Sequence, residues 1–190
     1  MDQGILRMRE AKCTQENPPK CTAKCPIHVD VKELIKAINS NNEKEALKVY
    51  SKTAPFPELV AKLCEAPCYK ACVRENIDES VQIKLLEEFV VAKTKDEPKK
   101  KILLPPDKNK TVAIIGSEVA CLTIAKLLRI KGYKVVIFTR HHTVGGKYLL
   151  NNEPIFLKIQ DELSDLGVKI NIQDDISDDF DEIQSKFDAI

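Results

Sequence analysis

Residues 13–26, CTQENPPKCTAKCP, and residues 64–72, CEAPCYKAC, hold six of the chain's seven cysteines, spaced C-x7-C-x3-C-P and C-x3-C-x3-C. A cysteine followed at once by proline at the end of such a run marks iron–sulfur proteins in which that last cysteine ligates a different cluster from its neighbours. Asn17-Pro18-Pro19 forces the backbone between the cysteines to turn, which suits a chain that wraps iron and sulfide and points amide N–H groups at sulfur. Zinc competes less well, because its structural sites favour two-residue spacing in paired knuckles and neither run has it. In the second run Pro67 argues against one regular helix, so Cys64 and Cys68 are expected on a bend and Cys72 on the next turn. Cys121, alone in a later helix, reads as a small apolar side chain, and His28, with no other histidine near it, as a surface or capping residue.

Helices surround these runs. Ile5, Leu6 and Met8 suggest a short helix leading to Cys13. Asp30 is an expected N-cap with Glu33 in the capping-box position, followed by Val31, Leu34, Ile35 and Ile38 at helical spacing. Ser40-Asn41-Asn42 stops that helix; a second from Glu43 turns Ala46, Leu47 and Tyr50 to one side until Pro55-Phe56-Pro57, and a third carries Leu59, Val60 and Leu63. Residues 78–94 form a further amphipathic pattern with Ile83, Leu86, Phe89 and Val90 inward. Residues 95–110, charged and rich in proline, read as a linker.

Beyond the linker the period changes. Residues 111–116 (TVAIIG) read as a buried strand, 118–131 as a helix and 134–139 (KVVIFT) as a second strand, a βαβ beginning of the dinucleotide-binding kind. Residues 155–166 follow as a helix, 168–172 as a strand, and 187–190 as the start of another.

Composition limits the partners. The chain has 190 residues and a net charge of +1, so no global field favours nucleic acid or an anionic membrane surface. No apolar run is long enough to span a bilayer and the N-terminus lacks a signal-peptide pattern, so a cytoplasmic location is expected. In a reducing compartment clustered cysteines are metal ligands or redox groups more often than disulfides. No hydrolytic or acid–base constellation stands out, so no catalytic residue is assigned.

Residues 10–93 resemble the N-terminal iron–sulfur domain of the glutamate synthase small subunit and dihydropyrimidine dehydrogenase family. The resemblance is carried by Cys13, Asn17-Pro18-Pro19, Cys21, Cys25-Pro26, Phe56-Pro57-Glu58, Cys64-Glu65-Ala66-Pro67-Cys68, Cys72, Ile83 and Glu87-Glu88-Phe89. It implies an all-helical domain with two 4Fe-4S clusters that pass electrons between a flavin site and a partner's active site. One cluster would take Cys25, Cys64 and Cys68, with Glu87 as fourth ligand and Glu88 as the near alternative. The other would take Cys13, Cys21 and Cys72, with Glu16 where the family has a fourth cysteine. A carboxylate holds a soft cluster less firmly than a thiolate does, so the Glu16 site suits a labile 4Fe-4S cluster, a 3Fe-4S cluster or none.

The family also implies FAD in the second half, where Gly145-Gly146 and the Leu166-Gly167-Val168 strand entry continue the resemblance. The fingerprint itself is degenerate. Gly116 and Ser117 are followed by Glu118 and then Cys121 where glycines are expected, Glu118 would compete with a diphosphate for the helix N-terminus, and Thr139 replaces the ribose-binding acid. Gly116, Ser117, Gly145 and Gly146 are therefore a weakened cofactor site, and Arg140, His141 and His142 read as a solvated loop.

The expected fold is α + α/β: a helical two-cluster domain over residues 1–94, a linker over 95–110, and a partial Rossmann-like FAD/NAD(P)-type domain over 111–190. The expected function is an iron–sulfur electron-transfer module of a glutamate-synthase-small-subunit-like, NAD(P)H-dependent oxidoreductase. The chain is not self-sufficient and works with a redox partner subunit or domain carrying the flavin or substrate site. The alternatives are an FAD-binding portion of a flavoenzyme and a non-redox docking or assembly subunit with structural metal sites. The end of the chain in a strand leading toward a further glycine motif fits either a fragment or a reduced homologue.

Overall fold

Proline and asparagine cut the first half of the chain into short helices. In the computed structural model, which describes residues 3–15, 17–96, 102–172 and 180–190, these are α1 (Gln3–Thr14), α2 (Lys20–Lys24), α3 (Val31–Asn39), α4 (Glu43–Ser51), α5 (Pro57–Leu63), α6 (Pro67–Lys70) and α7 (Ile83–Lys93). Glu16 and residues 97–101 of the expected linker lie outside the described residues. The chain divides into two compact units, Met1–Pro98 and Lys99–Ile190.

Capping sets the helix starts. Asp30 accepts the Glu33 N–H at 3.2 Å and Asn42 accepts the Glu45 N–H at 3.1 Å, each satisfying an amide that the first turn leaves unpaired. Pro57 and Pro67 stand in the first turns of α5 and α6, where the missing N–H costs little. Leu34, Ala46, Tyr50 and Val90 are fully buried at the centre of the unit. Cys68 belongs to that core and Cys21 and Cys25 pack on it, so thiols form part of the hydrophobic floor.

Two expectations need correction here. The helix expected from residue 78 begins at Ile83, because Asp78 instead pairs with Arg74 and accepts the Glu79 N–H at 2.8 Å. Phe89, expected inward, is exposed; the buried line of α7 is Ile83, Glu87 and Val90, and the Phe89 ring lies under the Lys93 ammonium at 5.7 Å.

The second unit is a small parallel sheet with helices. It runs β1 (Thr111–Ile115), α8 (Val119–Ile130), β2 (Lys134–Thr139), α9 (Glu153–Asp165), β3 (Lys169–Ile172) and α10 (Phe180–Lys186). The sheet order is β1-β2-β3, with Ile114 opposite Ile137 and Ile137 opposite Ile170. β1 uses its other side for Ala189, which makes one parallel bridge to Val112 and accepts the Ala113 N–H at 2.9 Å. The strand expected from residue 187 is thus a single bridge, and α10 before it was not expected. Part of the expected linker is docked on this unit: Lys108 N–H donates to the Gly132 carbonyl at 3.0 Å, and Asp107 pairs with Arg129 at 3.2 Å. Among the described residues no helix is long and apolar enough to cross a membrane.

Candidate metal centre

Cys64 caps the C-terminus of α5 in extended conformation, and the chain then turns through Ala66, whose φ of 52° is left-handed, into α6. That turn aims the Ala66 N–H at Cys64 Sγ, 3.3 Å away, and puts Cys68 in the first turn of α6 with only 6% of its surface exposed. Burial pushes the Cys68 thiol up to about 11, with Cys64, Glu87 and Cys25 adding to the shift in that order. Burial also raises Cys64, the Ala66 N–H opposes it, and Glu87 and Cys25 add to it. Cys25, Cys64, Cys68 and Glu87 therefore share one neighbourhood. Of the two carboxylates on α7, Glu87 is buried, whereas Glu88 sits by Lys84 at 3.9 Å. Desolvation raises Glu87 to about 7, because taking a carboxylate out of water disfavours its charge.

The other three cysteines of the two runs, Cys13, Cys21 and Cys72, form a second group. Burial raises the Cys21 thiol, and Cys13 and Cys72 are the charges that add to it. Cys72 is buried and accepts the Val81 N–H at 3.4 Å. The Arg74 guanidinium, held by Asp78, feels both Cys13 and Cys72. All seven cysteines are free thiols. Cys121 stands apart, 3.8 Å from the Ile115 carbonyl in the second unit, and His28 is exposed with Nδ1 at 3.2 Å from the Thr22 carbonyl.

Among the described residues no three His, Cys, Asp or Glu side chains converge on a point that suits a single metal ion. A mononuclear site needs its donors within bonding distance of one centre, whereas each cysteine of a cluster binds a different iron and stands further from its fellows. Thiols in two loose groups, two of them receiving backbone N–H groups, fit iron–sulfur clusters by their donor chemistry.

The candidate nucleotide site of the second unit fits its ligand poorly. A Cβ on Gly146 would lie 2.4 Å from Glu118 Oε1, and one on Gly145 would lie 2.8 Å from the Phe156 ring. Gly145 is thus needed for internal packing, and Gly146 lies against the flexible end of the Glu118 side chain. Glu118, the N-cap residue of α8, packs on the glycine turn where a diphosphate would have to approach. Thr139 is buried and donates its hydroxyl to Ser117 Oγ at 2.9 Å, so neither group is free to read a ribose. These residues do not fit FAD. Glu118 and Gly146, together with Arg140, His141, His142 and Lys147, line an open cleft of about 540 Å³.

Sequence reasoning missed two residues of the first unit. Thr22 accepts the Val31 N–H at 3.4 Å and donates to the Val29 carbonyl at 2.9 Å, tying the segment after Cys25-Pro26 to α2. Tyr50, assigned to the core, brings a hydroxyl to the Cys25, Cys64 and Glu87 group. The only available signal was a polar tip on an otherwise apolar stripe.

Short helices that present thiols in two separate groups belong to the class of cysteine-framed helical domains that wrap iron–sulfur clusters. The sequence pattern of the family described as dihydropyrimidine dehydrogenase domain II, 4Fe-4S cluster, matches residues 5–99, and the chain belongs to that family. Its relatives include the NADPH-Fe(3+) oxidoreductase subunit beta of Geobacter sulfurreducens, 31% identical over 90% of this chain and 27% of that protein. The glutamate synthase (NADPH) small chain of Bacillus subtilis is 29% identical over 95% of this chain and 40% of its own length. The NADP(+)-dependent formate dehydrogenase subunit beta of Moorella thermoacetica is 26% identical over 90% and 28% respectively. The chain therefore spans well under half the length of these relatives.

Proposed function

We propose that the chain is an iron–sulfur electron-transfer module of a glutamate-synthase-small-subunit-like oxidoreductase, relaying electrons between a flavin or NAD(P)H site and a redox partner. The carrying observation is the segregation of Cys25, Cys64, Cys68 and Glu87 from Cys13, Cys21 and Cys72. In this proposal residues 1–94 hold the metal, with Cys25, Cys64, Cys68 and Glu87 as one ligand set and Cys13, Cys21 and Cys72, completed by Glu16, as the other. A 4Fe-4S cluster supplies one-electron chemistry when bound. The chain's own residues hold the thiols in register: α5 and α6 place Cys64 and Cys68, the Ala66 and Val81 N–H groups donate to the sulfurs of Cys64 and Cys72, and the helical core keeps water from Cys68.

Residues 95–110 are proposed as the linker and 111–190 as a partial Rossmann-like domain, a reading supported by parallel β3-β2-β1 order with Ala189 on the far side of β1. The names of the relatives, all oxidoreductase chains or subunits, support a partner that carries the flavin or substrate site. The filled glycine turn favours docking over flavin binding for residues 111–190.

Protein purified without oxygen should show broad visible absorbance, bound iron and acid-labile sulfide, and paramagnetic resonance signals that separate 4Fe-4S from 3Fe-4S forms. It should lack flavin. Colourless, iron-free preparations would refute the electron-transfer role, and a flavin released on denaturation would refute the docking role of the second unit.

A further inference from the structure

Tyr50 is completely buried on α4, yet its hydroxyl has no hydrogen-bond partner in the structure. A buried O–H without a partner is costly, and is seldom kept where a phenylalanine would fill the same space. The surroundings of the hydroxyl are specific. Glu87, Cys64 and Cys25, three residues of the ligand set proposed with Cys68, are the charged groups near enough to act on it. The hydroxyl faces the Glu87 carboxyl without closing a hydrogen bond of regular geometry. α4 and α7 pack on each other, so ring and carboxylate come from two helices fixed by the same core.

We propose that Tyr50 is a positioning residue for the metal site, donating its hydroxyl to the Glu87 carboxylate when that carboxylate ligates iron. The inference rests on the ligand set proposed above. Glu87 is the natural ligand for such support, because a hard carboxylate among three soft thiolates is the weakest link to an iron–sulfur cluster. A donor behind it fixes its orientation and removes the cost of holding a flexible side chain in one rotamer. Lys84, one turn before Glu87 on α7, stands 3.9 Å from Glu88 and reaches Glu87 through its charge, which leaves the direct donor position to Tyr50.

The test uses the full chain purified anaerobically as wild type, Tyr50→Phe, Glu87→Cys, the double variant, and Cys64→Ser. Tyr50→Phe keeps the ring and hence the packing, which far-ultraviolet circular dichroism will verify. The expected result is unchanged iron content under anaerobic conditions, a shifted resonance signal and midpoint potential for one cluster, and loss of its iron to a chelator about ten-fold faster. In the Glu87→Cys background, where a thiolate replaces the carboxylate, adding Tyr50→Phe should change none of these. An unshifted signal in Tyr50→Phe would overturn the inference, as would an equal shift with and without Glu87, which would mean that Tyr50 acts through packing. Cys64→Ser addresses the ligand set itself. Loss of one cluster supports it, and iron content equal to wild type refutes the ligand set and the inference with it.

Discussion

Gly145 and Gly146 adjoin in sequence but answer to different neighbours, and substitution separates them. A Cβ on Gly145 would meet the ring of Phe156, which is fully buried and has nowhere to move, on a backbone with φ of 124°. Gly145→Ala should destabilise the second unit by about 3 kcal/mol, from overpacking and backbone strain together, read as a lower urea midpoint by circular dichroism. At Gly146 the obstacle is the end of the Glu118 side chain, which can turn aside, so Gly146→Ala should cost only about 1 kcal/mol. Both losses are expected with no nucleotide present, which sets internal packing apart from ligand binding. Sequence alone cannot tell a glycine required by a ligand from one required by an adjacent ring, and that is why the pair looks like a surviving flavin motif. The cysteines were legible for the opposite reason: metal chemistry demands that residue type at those spacings. The family resemblance already ranked Glu87 ahead of Glu88, and of the two only Glu87 is buried; seeing Tyr50 took knowing where its hydroxyl ends.

Helix starts in the first unit follow from short-range chemistry, which makes them both readable and testable. Asp30 satisfies the Glu33 N–H at the start of α3, so Asp30→Ala should lower stability by about 1 kcal/mol while Asp30→Asn, which keeps an acceptor, should cost much less. Thermal melts of the two variants against wild type would show whether the side-chain acceptor or the charge matters. The same local logic misleads where the polar residue opening a helical pattern is engaged elsewhere. Asp78 looks like an opening residue for α7, but it pairs with Arg74, and the helix waits until Ile83. Proline and charge over residues 95–110 read as a linker, yet composition cannot show that Lys108 hydrogen-bonds to Gly132. α10 offers only seven residues and one buried side chain, Ile183, too little apolar period to announce a helix.

At the scale of the whole chain, the two units differ in what holds them together. The first is built from helices as short as five and four residues, α2 and α6, which have little stability of their own. Its core includes Cys68, with Cys21 and Cys25 packed against it, so the proposed metal ligands are also packing residues. Binding a metal group to such side chains contributes directly to folding, because the unfolded chain has no preformed site. The second unit has a hydrogen-bonded parallel sheet, the buried side chains of Leu122, Ile137 and Phe156, and an ion pair at 2.5 Å between Lys126 of α8 and Glu162 of α9. Oxidative removal of iron from the anaerobic protein should therefore loosen the first unit selectively. Hydrogen exchange read by mass spectrometry should rise at least ten-fold in peptides covering α2, α5 and α6 and stay unchanged in β1, β2 and α9, since a loss of about 1.4 kcal/mol already gives that factor. Equal loosening of both units would show that the second depends on the metal for its own stability. Unchanged exchange in α5 and α6 would show that the cysteines are packed well enough without it, and the metal would then serve electron transfer alone.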